Sequence, residues 1–207
     1  MAKKTKEESE ATRERLLDAA EEAFLENGVS RTSLERIARH AGLTRGAIYW
    51  HFQDKSDLFE AMLERVRPPM AELVEELCRT HDGDPVETLR GLCRHGLDRI
   101  AQDLRHRRVY TILFHRSERV DDINPAVARQ DTLIAEIIDL FEQQFERVQA
   151  RGRLNPAIPP RVAAMALHAY MSGLFSQYLR KPAECDLEHD ADTLLEAFFG
   201  PLILPDA

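Results

Sequence analysis

Apolar positions along this chain recur every three or four residues, the spacing of a helix face, and strand-like alternation of β-branched residues is absent. Leu16, Leu17, Ala20, Ala23 and Phe24 share one face, which predicts a helix over 9–26 ended by Asn27-Gly28. Leu34, Ile37, Ala38 and Ala41 form a second stripe, stopped at Gly42. Thr32-Ser33-Leu34-Glu35 fits the capping box, so Thr32 is expected to cap this helix with Glu35 reaching back to the cap amide. Thr44 predicts the start of a short third helix, from Arg45 to about Phe52, and Asp54 that of a fourth, beginning at Lys55. Helices joined by such short turns form a compact trihelical unit. Its expected core is Leu16, Leu17, Phe24, Ile37, Leu43, Ile48, Phe52 and Leu58. The fourth helix carries Leu58, Ala61, Met62 and Val66 until Pro68-Pro69, where the missing donors and the clash with the preceding turn predict a break. That break divides the chain into domains 1–67 and 68–207.

Beyond it the punctuation stays helical. Asp84-Pro85 is a cap followed by proline at the first helical position. Further helices are expected over about 104–115, from Asn124-Pro125 to Gly152, from Pro159-Pro160 to Lys181-Pro182, and over about 189–199. The fold class is therefore all-α with about nine helices, four before the break and five after it.

Composition narrows the class. Of 207 residues, 43% are hydrophobic and 31% charged, enough apolar material for a packed core. No run of 18 apolar residues exists, and Met-Ala-Lys-Lys-Thr-Lys-Glu-Glu at the start lacks the apolar stretch of a signal peptide, so no membrane partner is expected. Cys78, Cys93 and Cys185 are odd in number and far apart, which predicts neither a disulfide framework nor a metal pair. These features lead to the expectation of a reducing compartment, the bacterial cytoplasm. The net charge of −8 argues against a polyanion partner until it is located. Residues 1–67 hold twelve bases and thirteen acids. Within 31–55, Arg31, Arg36, Arg39, Arg45 and Lys55 face only Glu35 and Asp54. A basic island thus sits in an acidic chain, flanked by Lys3, Lys4 and Lys6 on what reads as an unstructured tail; local field, rather than the sum, governs polyanion contact.

The segment Thr44–Phe59, TRGAIYWHFQDKSDLF, concentrates the chemistry. A helix preceded by helix and turn is the geometry that enters a DNA major groove. Its first turn presents Thr44, Arg45 and Gly46, and the guanidinium fork of Arg45 matches guanine O6 and N7. Gly46 has no side chain to hold the backbone off a duplex. Ile48 and Phe52 point inward, whereas Tyr49, Trp50 and His51 offer hydroxyl, indole and imidazole donors to phosphates. For Trp50, partial burial is an equal alternative. Lys55 opens the next helix, where its ammonium and the free amides suit a phosphate.

With its context, TRERLLDAAEEAFLENGVSRTSLERIARHAGLTRGAIYWHF followed by Asp-Lys-Ser-Asp-Leu, this segment resembles the TetR family of bacterial transcriptional regulators over the first ~65 residues, a length suited to a small DNA-binding unit. Within it the chain is similar to the AcrR-like branch, repressors of multidrug efflux pumps. Looser matches follow at Gly83-Asp84-Pro85, Arg107-Arg108 and Ile112-Leu113-Phe114-His115. The resemblance implies an N-terminal helix-turn-helix DNA-binding domain (motif 33–52) and a C-terminal helical ligand-binding and dimerisation domain. It further implies a homodimer on a palindromic double-stranded operator, released by a hydrophobic or amphipathic small molecule. Arg45 then touches bases, while Thr32, Ser33, Thr44, Tyr49, His51 and Lys55 hold phosphates. An activator or metabolic regulator answering another ligand class, an architectural DNA-binding protein and a ligand-binding module without DNA function stay open as alternatives.

An effector pocket needs apolar lining with a few polar groups. The inward stripes offer Leu89, Leu92, Cys93, Gly96, Ile100, Tyr110, Phe114, Ile134, Ile137, Ile138, Phe141, His168 and Met171, each of which plain core packing explains equally well. Gly96 stands out because glycine inside a helix costs about 1 kcal/mol against alanine, which suggests space for a ligand. In the last two helices, small residues (Ala163, Ala164, Ala166, Ala169, Ser172, Gly173) beside large ones (Leu167, Leu174, Phe175, Tyr178, Leu194, Leu195, Phe198, Phe199) suit a four-helix dimer interface. Enzyme signatures are missing: no GxSxG, P-loop or HExxH occurs. Cys93 and His95 do not face each other on a helix. Neither catalysis nor a cofactor is expected.

Overall fold

The computed structural model describes residues 2–67, 73–76, 79, 83–117 and 124–205. Pro68-Pro69 and Cys78 lie outside the described residues. Among those described, the helices of seven or more residues are α1 (Ala2–Asn27), α2 (Leu34–His40), α3 (Arg45–His51), α4 (Lys55–Glu64), α5 (Pro85–Gln102), α6 (Leu104–Thr111), α7 (Asn124–Ala150), α8 (Pro160–Arg180) and α9 (Leu187–Phe199). Among the described residues, an isolated antiparallel bridge pairs Leu154 with Ile203.

Two compact units emerge. The first comprises Met1–Arg67 with Arg108–Gln130, the second Pro68–Arg107 with Asp131–Ala207. The chain changes unit at 67/68, 107/108 and 130/131, the last two points falling inside α6 and α7.

In the first unit, the buried side chains of Leu16, Leu17, Phe24, Ile37, Ile48, Phe52 and Leu58 join one core, with Leu43 packed partly buried against it. Phe24 and Phe59 meet there at a ring-centroid distance of 6.2 Å. Val109, Ile112 and Ala126 complete the same core. Backbone and side-chain hydrogen bonds tie that later segment in: Val29 N donates to Arg116 O at 3.0 Å, and Ala126 N donates to Ser56 Oγ at 3.0 Å. Short turns fix the angles between helices. Gly28 (φ +78°) ends α1 and Gly42 (φ +67°) ends α2, both in the left-handed region that glycine occupies without strain.

Three expectations need correction. Helix α1 begins at Ala2, seven residues early, because the Lys, Glu, Ala and Thr run before Ser9 continues the helix without adding to its apolar stripe. The cap of α2 is Ser33, whose hydroxyl accepts from Arg36 N at 3.2 Å. Thr32 is instead buried, its hydroxyl donating to the carbonyls of Gly28 at 2.8 Å and Ala23 at 3.3 Å. Helix α6 ends at Thr111 and passes into a π-helical turn, Ile112–Arg116, where one continuous helix was expected.

In the second unit α5, α8 and α9 pack on one another, α5 chiefly against α9. Asp84 caps α5 by accepting from Val86 N at 2.9 Å, and Arg153 Nη1 lies 3.1 Å from its carboxylate. Burial alone raises the pKa of that carboxyl, but these hydrogen bonds and the charge of Arg153 outweigh it and hold the pKa below its ordinary value. The site of Gly96 is a close helix approach. A Cβ there would stand 3.1 Å from Phe175 Cζ, so the Phe175 ring takes the space that the sequence suggested for a ligand.

Candidate nucleic-acid interface

Helix α3 is held from one side and bare on the other. Ile48 and Phe52 are buried in the core, and Thr44 caps the helix by accepting from Ala47 N at 3.2 Å. The opposite face carries Arg45, with its side chain 73% exposed, Tyr49 at 44% and Trp50 at 81%. An indole that open to water in a folded chain buries almost none of its apolar surface, so packing does not explain its position. Of the two readings of Trp50, the structure shows the exposed one. Around Gly46 the surface is open: an added Cβ would meet nothing nearer than Thr44 Oγ1 at 3.9 Å.

Other predicted contacts are more committed. Tyr49 donates its hydroxyl to Glu35 Oε1 at 2.9 Å, and the Arg45 guanidinium lies over the Tyr49 ring, 5.4 Å from its centroid. Lys55 is half-buried, and its ammonium donates to the carbonyls of Val29 at 3.0 Å and Thr32 at 3.2 Å. It therefore ties the start of α4 to the 29–32 turn. Thr32 has its hydroxyl turned inward, as described, and Ser33 spends an acceptor on the α2 cap. Partial burial, then the nearby charge of Arg13, hold the His51 imidazole below its ordinary pKa, so the neutral ring offers one N–H donor at neutral pH. The structure thus brings Thr44, Arg45, Gly46, Tyr49 and Trp50 together on one exposed face, with Ser33 and Glu35 on the adjoining turn. Thr32 is turned away from it.

Two participants went unrecognised in the sequence. Glu35 was read as a capping residue, yet its carboxylate serves Tyr49 and lies 3.4 Å from Arg45 Nε. Arg13 stacks over the Phe52 ring at 5.5 Å, supporting the C-terminal end of α3 from α1. Neither had a local signal, since each acts across a sequence gap that periodicity does not see.

The thirteen candidate effector contacts divide. Tyr110 and Phe114 fall in the first unit, stacked on each other at 6.3 Å, with Tyr110 packed against that unit's core and Phe114 exposed. The other eleven belong to the second unit. Leu89, Leu92, Cys93, Ile100, Phe141 and Met171 are buried, while Gly96, Ile134, Ile137, Ile138 and His168 are half-buried. Burial pushes the Cys93 thiol up to about 12 and holds His168 below its usual value, so both are neutral at physiological pH. An open groove of about 1110 Å³ between α5 and α9 includes none of the thirteen in its lining. Its arginines are answered by carboxylates, Arg90 by Glu196 at 2.6 Å and Arg94 by Asp192 at 2.7 Å.

On the outer side of α8, Val162, Met165, Ala166, Ala169 and Gly173 form an exposed stripe at helical spacing. Leu194 and Phe198 are half-buried on α9, and the Phe198 ring sits 5.2 Å from that of Tyr170. Ala163, Ala164, Leu167, Tyr178, Leu195 and Phe199, by contrast, are buried within the chain's own packing.

Comparison with known proteins matches these features to described families. Residues 16–62 match the model for bacterial regulatory proteins of the tetR family, and residues 84–203 match that for the C-terminal region of MAATS-type transcriptional repressors. The chain is 39% identical over 191 residues to the HTH-type transcriptional regulator AcrR of Shigella flexneri, covering 92% of this chain and 89% of that one. Its structure is similar to that of NalD, the secondary repressor of the MexAB-OprM multidrug efflux pump in Pseudomonas aeruginosa. The TM-score there is 0.89 at 46% identity, with 95% of this chain and 98% of the other covered. It is similar too to SmeT, a Stenotrophomonas maltophilia repressor of the efflux pump SmeDEF, in complex with triclosan (TM-score 0.77, 34% identity, 95% and 93% covered).

Proposed function

The chain belongs to the TetR family of bacterial regulatory proteins, and from that premise we propose that it represses a multidrug efflux operon as a homodimer bound to a palindromic operator. The observation that carries this reading is the exposed face of α3, anchored from behind by Ile48 and Phe52, with Arg45 and Trp50 presented to solvent. Two such helices, one from each protomer, read half-sites roughly 34–36 Å apart. The exposed α8 stripe with Leu194 and Phe198 of α9 supports an isologous pairing of two copies.

A hydrophobic or amphipathic molecule held by the apolar residues of the second unit releases the operator. NalD and SmeT are repressors of multidrug efflux pumps, and SmeT has been seen with triclosan. Release requires that the molecule bind the non-DNA-binding conformation more tightly; equal affinity for both shifts nothing. Footprinting of the intergenic DNA upstream of the gene, with and without a panel of hydrophobic cations and triclosan, tests the proposal. A protected palindrome that one of these compounds abolishes is the expected result, and uniform coverage without a boundary contradicts it.

Arg45→Ala tests the reading helix. Loss of a bidentate base contact costs about 1–3 kcal/mol, so affinity for the protected site should fall roughly 5- to 150-fold. Random duplex of equal length should lose less than about threefold, the share of one phosphate-range charge. An equal loss on both sequences removes Arg45 from base reading.

A further inference from the structure

The exposed face of α3 holds a carboxylate where a polyanion is to dock. Glu35 stands in the first turn of α2, with its side chain partly exposed. A lone carboxylate there opposes phosphate through like-charge repulsion. This one is not alone. Its Oε1 accepts the Tyr49 hydroxyl at 2.9 Å and lies 3.4 Å from Arg45 Nε, while the Arg45 guanidinium lies over the Tyr49 ring at 5.4 Å. Three side chains from two helices close one triangle.

Its geometry selects among the edges of the guanidinium. Arginine presents five N–H donors in a planar fork, and it can grip a pair of acceptors either side-on, through Nε and one Nη, or end-on, through both Nη groups. With Nε committed to Glu35, the side-on grip is taken and the end-on grip, through both Nη groups, is the one that remains for an acceptor pair. A free arginine on a helix surface samples many rotamers and loses that freedom on binding. Here part of the ordering is already done before DNA arrives.

We propose that Glu35 is a positioning residue for Arg45, fixing its guanidinium end-on against Tyr49, and that it thereby lowers general affinity for DNA while raising discrimination between operator and random sequence. This rests on the reading of α3 as the base-contacting helix. The hydrogen bonds to its own backbone amide and to Tyr49, with the charge of Arg45, hold the Glu35 carboxyl below its ordinary pKa, so the charge is present at neutral pH.

The test uses the full-length protein and a duplex that the wild-type protein selects from a randomised pool, with an unselected duplex of equal length as the reference. Glu35→Gln keeps the shape and the acceptor for Tyr49 but removes the charge; Glu35→Ala removes both. For Glu35→Gln, affinity for the unselected duplex should rise about twofold to fivefold, as one like charge near the phosphates is lost. Affinity for the selected duplex should rise less or fall, so that the ratio between the two drops about fivefold, and further in Glu35→Ala. Selection repeated with the variants should yield a less defined base at one position of each half-site. A ratio left unchanged, with both affinities rising together, overturns the proposal: Glu35 then only repels. If Arg45→Ala also leaves the ratio unchanged, the base-reading role of α3 itself fails, which separates the two failures. Unchanged thermal unfolding of Glu35→Gln confirms that the fold is intact.

Discussion

Aspartate in place of Ala169 should separate the protomers of the proposed homodimer and lower affinity for its operator about 100- to 10,000-fold, the gain that joining two binding heads confers. Ala169 lies exposed in the middle of the α8 stripe, so the charge does not disturb the chain's own core. In an isologous pair the same patch faces itself, and each substitution buries two like charges without a partner. Gly173→Ala gives the companion result with opposite signs. A Cβ at 173 meets nothing within 4 Å, so the lone chain gains helix propensity of up to about 1 kcal/mol. Where a second helix approaches closely, the same methyl weakens the pair. Sedimentation, with binding to the selected palindrome, reads both. An Ala169→Asp protein that remains dimeric and binds as before would place the interface elsewhere.

Arg65→Met should destabilise the protein by about 3–5 kcal/mol, the cost of leaving a buried charge without its partner. Arg65 ends α4 with its side chain 7% exposed. It reaches three carboxylates of α1: Glu21 at 2.6 Å, Asp18 at 2.6 Å and Glu14 at 2.8 Å. Burial works against its charge, but the Asp18 hydrogen bond and the charges of Glu21, Glu14 and Asp18 outweigh it and raise its pKa further. Asp18 and Glu14 can turn to water, whereas Glu21 is only 3% exposed and cannot. Urea unfolding of Arg65→Met should show the deficit, and adding Glu21→Met should restore a large part of it. A single variant within about 0.5 kcal/mol of the parent would mean that the cluster adds nothing measurable.

The helices themselves were readable because their ends carry local chemistry. Asn27-Gly28, Asp84-Pro85 and Pro159-Pro160 mark boundaries through backbone geometry that no tertiary contact needs to supply. The α2 cap was misplaced by one residue because Thr32 and Ser33 both carry a hydroxyl, and the choice fell to carbonyls of Gly28 and Ala23 that only folding brings near. Periodicity grouped Tyr110 with stripes of the second unit although it packs against the core of the first, since a stripe reports that a face is buried and not against what. The exposure of Arg45 was legible because it lies on the polar side of a short helix whose anchors are plain, whereas the sequence left Trp50 open between burial and exposure. Glu35 was hidden, 14 positions from Tyr49 and on another helix, and so was the pairing of Arg65 with Glu14, Asp18 and Glu21. Those three are spaced along α1 as one helix face, but nothing local names the cation 44 to 51 positions later.

The core under α3 also draws on Val109, Ile112 and Ala126, and the 28–29 turn is fastened to Arg116. A recombinant hybrid spliced after Arg67 would therefore inherit a reading head whose underside was shaped for another sequence. A head transferred out of this chain should keep its packing only when residues 108–130 travel with the first 67.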